Sequence, residues 1–298
     1  MNKSAKRSQL LTSVMFNIFM CLLTLLFILP LILVISTSFA TGDSLATYGY
    51  TFFPRSFTTG AYEYIFQNPT QIINSYVVTI GICVVTIPLQ LFMQGMTAYA
   101  LTRANWGYKF LRYIYISCFF SGGLIPNYIW MTQYLHLGNN FWVYVLPHIY
   151  TTGNVIMMRT FFKSHPAGMI EAAKLDGASE FYIFVRIIIP ISVPLFATLA
   201  ITNFLSLWNQ WMPTMLYIQD EKLWTLGYML QSLLKKASFQ KEMMENAAGI
   251  TVDVGTMDFP DETIKYAMVV VAAGPAMFIM PFFQKYFKSG LVVGSIKG

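Results

Sequence analysis

Charge is scarce in this chain. Only 11% of its 298 residues are Asp, Glu, Lys or Arg, while 56% are hydrophobic and the mean hydropathy is +0.54. A soluble domain carries about 25% charged residues. The deficit excludes an ordinary soluble globule and points to a chain that crosses a membrane several times. Cysteine is scarce as well. Cys21, Cys83 and Cys118 stand alone inside apolar runs with no CxxC spacing, which argues against a disulfide framework or a thiolate metal site. There is no GxxxxGK[ST] run to cradle phosphates and no HExxH, and the three histidines, His136, His148 and His165, are scattered. ATP chemistry and metal-assisted hydrolysis therefore lack their residues. The net charge of +6 does not imply a nucleic-acid partner, because the basic residues lie singly beside apolar runs and form no patch.

What the chain has in abundance is uncharged length. Residues 8–42, 64–102, 113–158, 187–219 and 266–284 hold no Asp, Glu, Lys or Arg. A charge at the bilayer centre costs about 2.5–3.5 kcal/mol on insertion scales, so such windows mark spans. The third window exceeds one helix and is interrupted by His136–Asn140. Six spans of about 20 residues follow, near 14–35, 72–99, 111–131, 141–161, 187–210 and 266–284. The apolar run near the N-terminus continues far beyond a signal-peptide core and lacks a small-residue cleavage site, so it is expected to stay as the first span.

Six spans place both termini on one side. Thirteen of the nineteen Lys and Arg residues fall on that side, including Lys163, Lys174 and Arg186, which makes it cytoplasmic by the positive-inside rule. The expected fold is an all-α integral membrane protein with cytoplasmic termini, a cytoplasmic loop over 163–186 and an outer loop over 219–264. Tryptophans 106, 130, 142, 208, 211 and 224 lie near the expected span ends, as interfacial anchors do. Pro30, Pro88, Pro126, Pro147, Pro190, Pro194, Pro275 and Pro281 lie in or beside the spans, and fit either ordinary kinks or bent helices lining a translocation path.

The 163–186 loop breaks the apolar pattern with "EAAKLDGASEFYIFVRIIIP", Glu171–Pro190. Pro166 suits a first helical turn, with Ser164 or His165 as cap, and AGMIEAAKL then forms a short helix that Gly177 stops. Met169, Ala172 and Ala173 share a small-residue face at 3–4 spacing, with Glu171 and Lys174 on the opposite flank. Asp176 is positioned to cap the next helix, Phe181–Ile189, which leads into the fifth span. A helix this short cannot stand alone in water. It either rests on the protein's own cytoplasmic ends or docks into a groove on a soluble partner.

The stretch resembles the EAA loop of binding-protein-dependent ABC importer permeases, whose pattern is EAA, three residues, Gly, nine residues, then I-x-L-P. Here that is Glu171-Ala172-Ala173, Lys174 to Asp176, Gly177, Ala178 to Arg186, then Ile187-Ile188-Ile189-Pro190, with Ile189 in place of Leu as the one departure. WNQW (208–211) is similar to the Trp-Asn of carbohydrate-type permeases, and QKYFKSGLVVGSIKG (284–298) to the C-termini of that group. FSGGLIPNYIWMTQYLHLGN (120–139) resembles the oligosaccharide branch.

The resemblance implies a type I importer permease over 1–298, a multi-pass protein of the bacterial cytoplasmic membrane. It implies that Glu171, Ala172, Ala173, Asp176 and Gly177 form a coupling helix seated in an ATPase subunit. The partners implied are a second homologous permease, two ATP-binding subunits that carry ATP and Mg, an extracytoplasmic sugar-binding protein and membrane lipid. This chain itself binds no cofactor and no metal and has no catalytic residue. The tail Ser295–Gly298 either reaches between the ATPases or hangs free. Polar residues within spans commonly face the bundle interior, so Gln94, Asn127, Asn154, Asn203 and Asn209 are candidates for the substrate path, with helix-to-helix hydrogen bonding as their other role. Outside the importer class stand an ion-coupled secondary transporter, a membrane-embedded enzyme and a non-transporting sensor scaffold. The first would be expected to show intramembrane acids or bases, which the spans lack except at their ends.

Overall fold

The computed structural model describes residues 3–102, 123–248 and 261–290. Most of the third expected span, the tail after Gly290 and part of the 219–264 loop lie outside the described residues. Among the described residues regular structure is helical, apart from one antiparallel bridge between Ala40 and Phe57. In chain order the helices are α1 (Lys3–Ser38), α2 (Gly42–Tyr48), α3 (Gly60–Ile65), α4 (Pro69–Ala100), α5 (Leu124–Ile129), α6 (Trp142–Val145), α7 (Thr152–Lys163) and α8 (Ala167–Leu175). They continue as α9 (Glu180–Ile183), α10 (Ile189–Ile191), α11 (Val193–Trp208), α12 (Met212–Tyr217), α13 (Leu226–Ala248) and α14 (Asp261–Gly290). The chain divides into two compact units, Met1–Asn68 with Ser232–Gly274, and Pro69–Gln231 with Pro275–Gly298.

In the first unit, the 27 residues Thr12–Ser38 of α1 form an apolar rod with exposed Met15, Phe16, Leu26 and Phe27. At 1.5 Å per residue the rod is about 40 Å long, enough to cross a ~30 Å hydrocarbon layer. Its C-terminal end is tied down by polar contacts. Ser36 Oγ donates to Thr51 O at 3.0 Å, and the hydroxyls of Ser38 and Tyr62 meet at 2.8 Å. Phe39 stacks between Phe57 and Tyr62 at 5.1 and 4.9 Å.

In the second unit α4 is inverted relative to a soluble amphipathic helix. Ser75, Thr79, Thr86, Gln90 and Gln94 lie on its buried side together with Ile72, Ile82, Cys83 and Ala98, while Ile73, Val77, Ile80, Val84 and Phe92 face outward. Water would favour the opposite arrangement; lipid favours this one, because polar groups must find partners inside the protein. Thr79 Oγ1 accepts from Leu226 N at 2.9 Å. Tyr144 OH donates to Leu223 O at 2.8 Å and meets Thr214 Oγ1 at the same distance.

Two expected spans are not single straight helices. Within 141–161 the chain forms α6, a 3-10 turn at Leu146–His148 and then α7. Pro147 lacks the N–H that a continuous helix needs, and Thr151 is extended, with φ −120° and ψ 112°. The segment entering the fifth span bends by 79° between Glu180–Ile191 and Val193–Trp208. Pro190 and Pro194 flank the bend, and Pro194 sits in the first turn of α11, where its missing N–H costs nothing. The expected break at His136–Asn140 is present, with positive φ at His136 and Asn139. Long apolar helices are thus α1, α4 and, counted as one, the bent pair, while Thr263–Ile279 of α14 is a shorter apolar stretch.

Candidate functional site: the Glu171 helix and a buried polar seam

Helix α8 begins after Pro166, whose ψ of 127° is extended; neither Ser164 nor His165 caps it. Ser164 instead closes α7. The other end of α8 follows the expected stop in detail. Gly177 takes φ +81°, its N–H donates to Lys174 O at 3.0 Å, and Ala178 N–H donates to Ala173 O at 3.0 Å. These are the two bonds of a Schellman cap. Asp176 ends α8 and does not cap the next helix; Ser179 Oγ does so, accepting from Tyr182 N at 3.2 Å.

Nothing lies within 4 Å of a Cβ built on Gly177, so a substitution there meets only backbone strain, about 1–2 kcal/mol for the left-handed region. Gly177→Val is expected to lower the Tm of the purified protein by about 2–8 °C. Gly177→Asn, which tolerates that region, should lose much less. An equal loss in both would rule out backbone strain as the cause.

The faces of α8 are divided sharply. Ile170 and Ala173 pack on a buried apolar cluster that includes Ala98, Tyr99, Phe162, Ile183, Phe184 and Leu199. Gly168, Glu171, Ala172 and Leu175 are exposed, and Leu175 is 89% exposed. Their spacing of three, four and seven residues puts these four on one face. Of the small residues expected to admit another surface, Ala172 points outward, whereas Ala173 lets the helix approach the chain's own core. Close by, His165 Nε2 lies 3.2 Å from Ser192 Oγ at the bend, and burial lowers the His165 pKa below its ordinary value.

The expected path residues separate into two groups. Asn154 Nδ2 donates to Asn203 Oδ1 at 3.2 Å, joining α7 to α11. Gln94, fully buried, donates to Ile149 O at 2.9 Å, and Gln90 one turn earlier donates to Thr151 Oγ1 at 3.3 Å. Asn127 and Asn209 are exposed, and Asn209 Nδ2 turns back onto Leu205 O at 2.9 Å. The amide oxygens of Gln90 and Gln94, Thr86 Oγ1 and Asn203 Nδ2 are buried without a hydrogen-bond partner. Thr86 was not among the expected residues, although its four-residue spacing to Gln90 and Gln94 marks the same face. No group of three or more His, Cys, Asp or Glu side chains suited to a metal ion occurs among the described residues.

No protein-family model matches the chain. Individual relatives do. The polygalacturonan/rhamnogalacturonan transport system permease protein YtcP of Bacillus subtilis is 32% identical over 283 residues, covering 94% of this chain and 96% of that protein. Protein LplC of the same organism is 35% identical over 276 residues, covering 91% and 90%. Among solved structures, a bacterial ABC transporter involved in the import of the acidic polysaccharide alginate superposes with a TM-score of 0.71 at 26% identity, covering 96% of this chain and 99% of that one. These define a class of helical membrane proteins that act as transport permeases. The chain belongs to the family of carbohydrate ABC importer permeases.

Proposed function

We propose that this chain is one of two homologous permease subunits of a bacterial importer that moves an oligosaccharide delivered by an extracytoplasmic binding protein. Six spans bring both termini to the cytoplasm, and α8 docks into one of two ATP-hydrolysing subunits. The observation that carries this reading is the exposed face Gly168, Glu171, Ala172 and Leu175, on a short helix whose opposite face is anchored in the core. An almost fully exposed leucine beside two small residues and a carboxylate suits a groove with an apolar floor and a basic rim. Glu171 would supply the charge-assisted contact, and the two small residues the close approach. The binding of ATP and Mg belongs to the partner subunits, and the 219–264 segment reaches the binding protein. Of the candidate path residues, Gln94, Asn154 and Asn203 act by joining helices across the interior, through Gln94 to Ile149 and Asn154 to Asn203.

Reconstitution tests this. The chain, its partner permease, the ATPase and the binding protein in proteoliposomes should accumulate oligosaccharide only with ATP inside. Uptake driven by an ion gradient without ATP would instead identify a secondary transporter. The absence of uptake under both conditions would leave a sensor scaffold.

A further inference from the structure

We propose that Glu180 is a positioning residue that fastens the docking helix to the inner end of α4, so that movement of α8 is delivered to that span. The proposal rests on the reading of α8 as the ATPase-docking helix.

The Glu180 carboxylate faces two ways. Oε1 lies 2.6 Å from Lys174 Nζ on α8, and Oε2 accepts a hydrogen bond from Tyr99 OH at 2.7 Å. Lys174 is in the last turn of α8, Glu180 opens α9 and Tyr99 is in the last turn of α4. One side chain therefore spans the Gly177 turn and reaches a helix 81 residues away in sequence.

The two bonds differ in setting. Lys174 and Glu180 are 45% and 51% exposed at their side chains, whereas Tyr99 is 6% exposed. A half-exposed ion pair is weakened by solvent. The Tyr99 hydroxyl is carried by a buried ring, so its charge-assisted bond to the carboxylate is less exposed to solvent than the ion pair. Tyr99 therefore supplies the anchorage, and Lys174 sets the direction in which the carboxylate points.

A second contact one turn along completes the attachment. Phe184 packs on the Tyr99 ring at 5.5 Å, and its Cζ lies 3.2 Å from where a Cβ on Gly95 would sit. Glu180 and Phe184 are four residues apart, and so are Gly95 and Tyr99. Two positions on one face of the segment after α8 thus grip two positions on one face of α4. A single contact would act as a pivot; two resist rotation. Beside the polar contact, Ile170 and Ala173 pack α8 on the core, and a nine-residue helix has little stiffness of its own.

The test uses the complete reconstituted complex and reads sugar transported per ATP hydrolysed. Tyr99→Phe removes only the hydroxyl, and Glu180→Ala removes the bonds to both Lys174 and Tyr99. In both variants the ATPase should co-purify as with the unaltered chain and hydrolysis should continue, while transport per ATP falls about fivefold or more. The double variant should be no worse than Glu180→Ala, since both changes cut one link. Glu180→Gln, which keeps an acceptor for Tyr99, should lose less than Glu180→Ala. Unchanged transport per ATP in Tyr99→Phe and Glu180→Ala would overturn the proposal. Loss of the ATPase from either complex would also overturn it, in favour of a role in docking itself. Absence of ATP-dependent uptake by the unaltered complex would overturn the transport reading and this proposal together, an outcome distinguishable from the other two.

Discussion

Replacing Leu175 by aspartate should release the ATPase subunit docked on this chain while leaving the chain in the membrane. Leu175 is 89% exposed at the end of a helix whose other face is already committed to the core. Its removal exposes no cavity and breaks no internal contact. Burial of a leucine in a partner's groove contributes about 1.5–3 kcal/mol. An aspartate in the same groove also brings a carboxylate that must be desolvated without a partner, about 1–3 kcal/mol more. Together these weaken association by roughly two orders of magnitude or more. Central apolar anchors of this kind dominate interfaces, while the surrounding contacts mainly exclude water. Expression, membrane insertion and Tm should match the unaltered chain, and the ATPase that co-purifies with the complex should fall by about half, to the subunit docked on the partner permease. Full retention of the ATPase by Leu175→Asp would falsify the assignment of this face. Ala173→Asp is the contrasting variant. It points into the apolar cluster, so it should lower Tm as well as docking.

Gly95→Leu should be the most damaging single change to the packing of the second unit. A Cβ at position 95 would lie 3.2 Å from Phe184 Cζ and 3.3 Å from Phe196 Cζ. Both contacts are tighter than ordinary van der Waals separation, and a leucine extends two carbon shells further. Overpacking of this kind costs about 1–3 kcal/mol, occasionally more. The cost should be near the upper end here, because Phe184 is fully enclosed and Phe196 packs on the same cluster. A drop in Tm of about 6–12 °C in detergent is expected. Gly95→Ala should lose far less, since ring edges can yield by a few tenths of an ångström. A Gly95→Leu variant melting with the unaltered chain would mean that α4 and the segment after α8 are not held together here.

The sequence disclosed what depends on local runs of residues. The uncharged stretch from 8 to 42 became the apolar rod of α1, and AGMIEAAKL became α8 with its glycine cap. Less legible was the phase of α8. In nine residues the 3.6 periodicity allows neighbouring faces almost equally, so Ala172 and Ala173 looked alike, yet one faces solvent and the other the core. Asp176 and Ser179 both have capping side chains, and only the path of the turn decides that Ser179 caps α9. Pro147, Pro190 and Pro194 announced that helices would break, but not that one break would be a 79° bend. The link from Tyr99 to Glu180 was invisible, because nothing near either residue in the chain refers to the other. Of the polar candidates, Asn154 and Asn203 meet, whereas Asn127 and Asn209 remain apart on exposed surface.

The inverted stripe of α4 also bears on how the chain is made. Gln94 finds its acceptor at Ile149, 55 residues later, and Gln90 finds Thr151, 61 residues later. At about 5–20 residues per second, translation takes roughly 3–12 s to supply those partners. Throughout that interval α4 carries two unpaired amides on a helix that is otherwise apolar enough to enter lipid. Pairing of those amides therefore waits for residues 149–151, the connection that leads into α7. Mutations that delay α7 should leave α4 exposed to membrane quality control, even where the finished structure would have tolerated them.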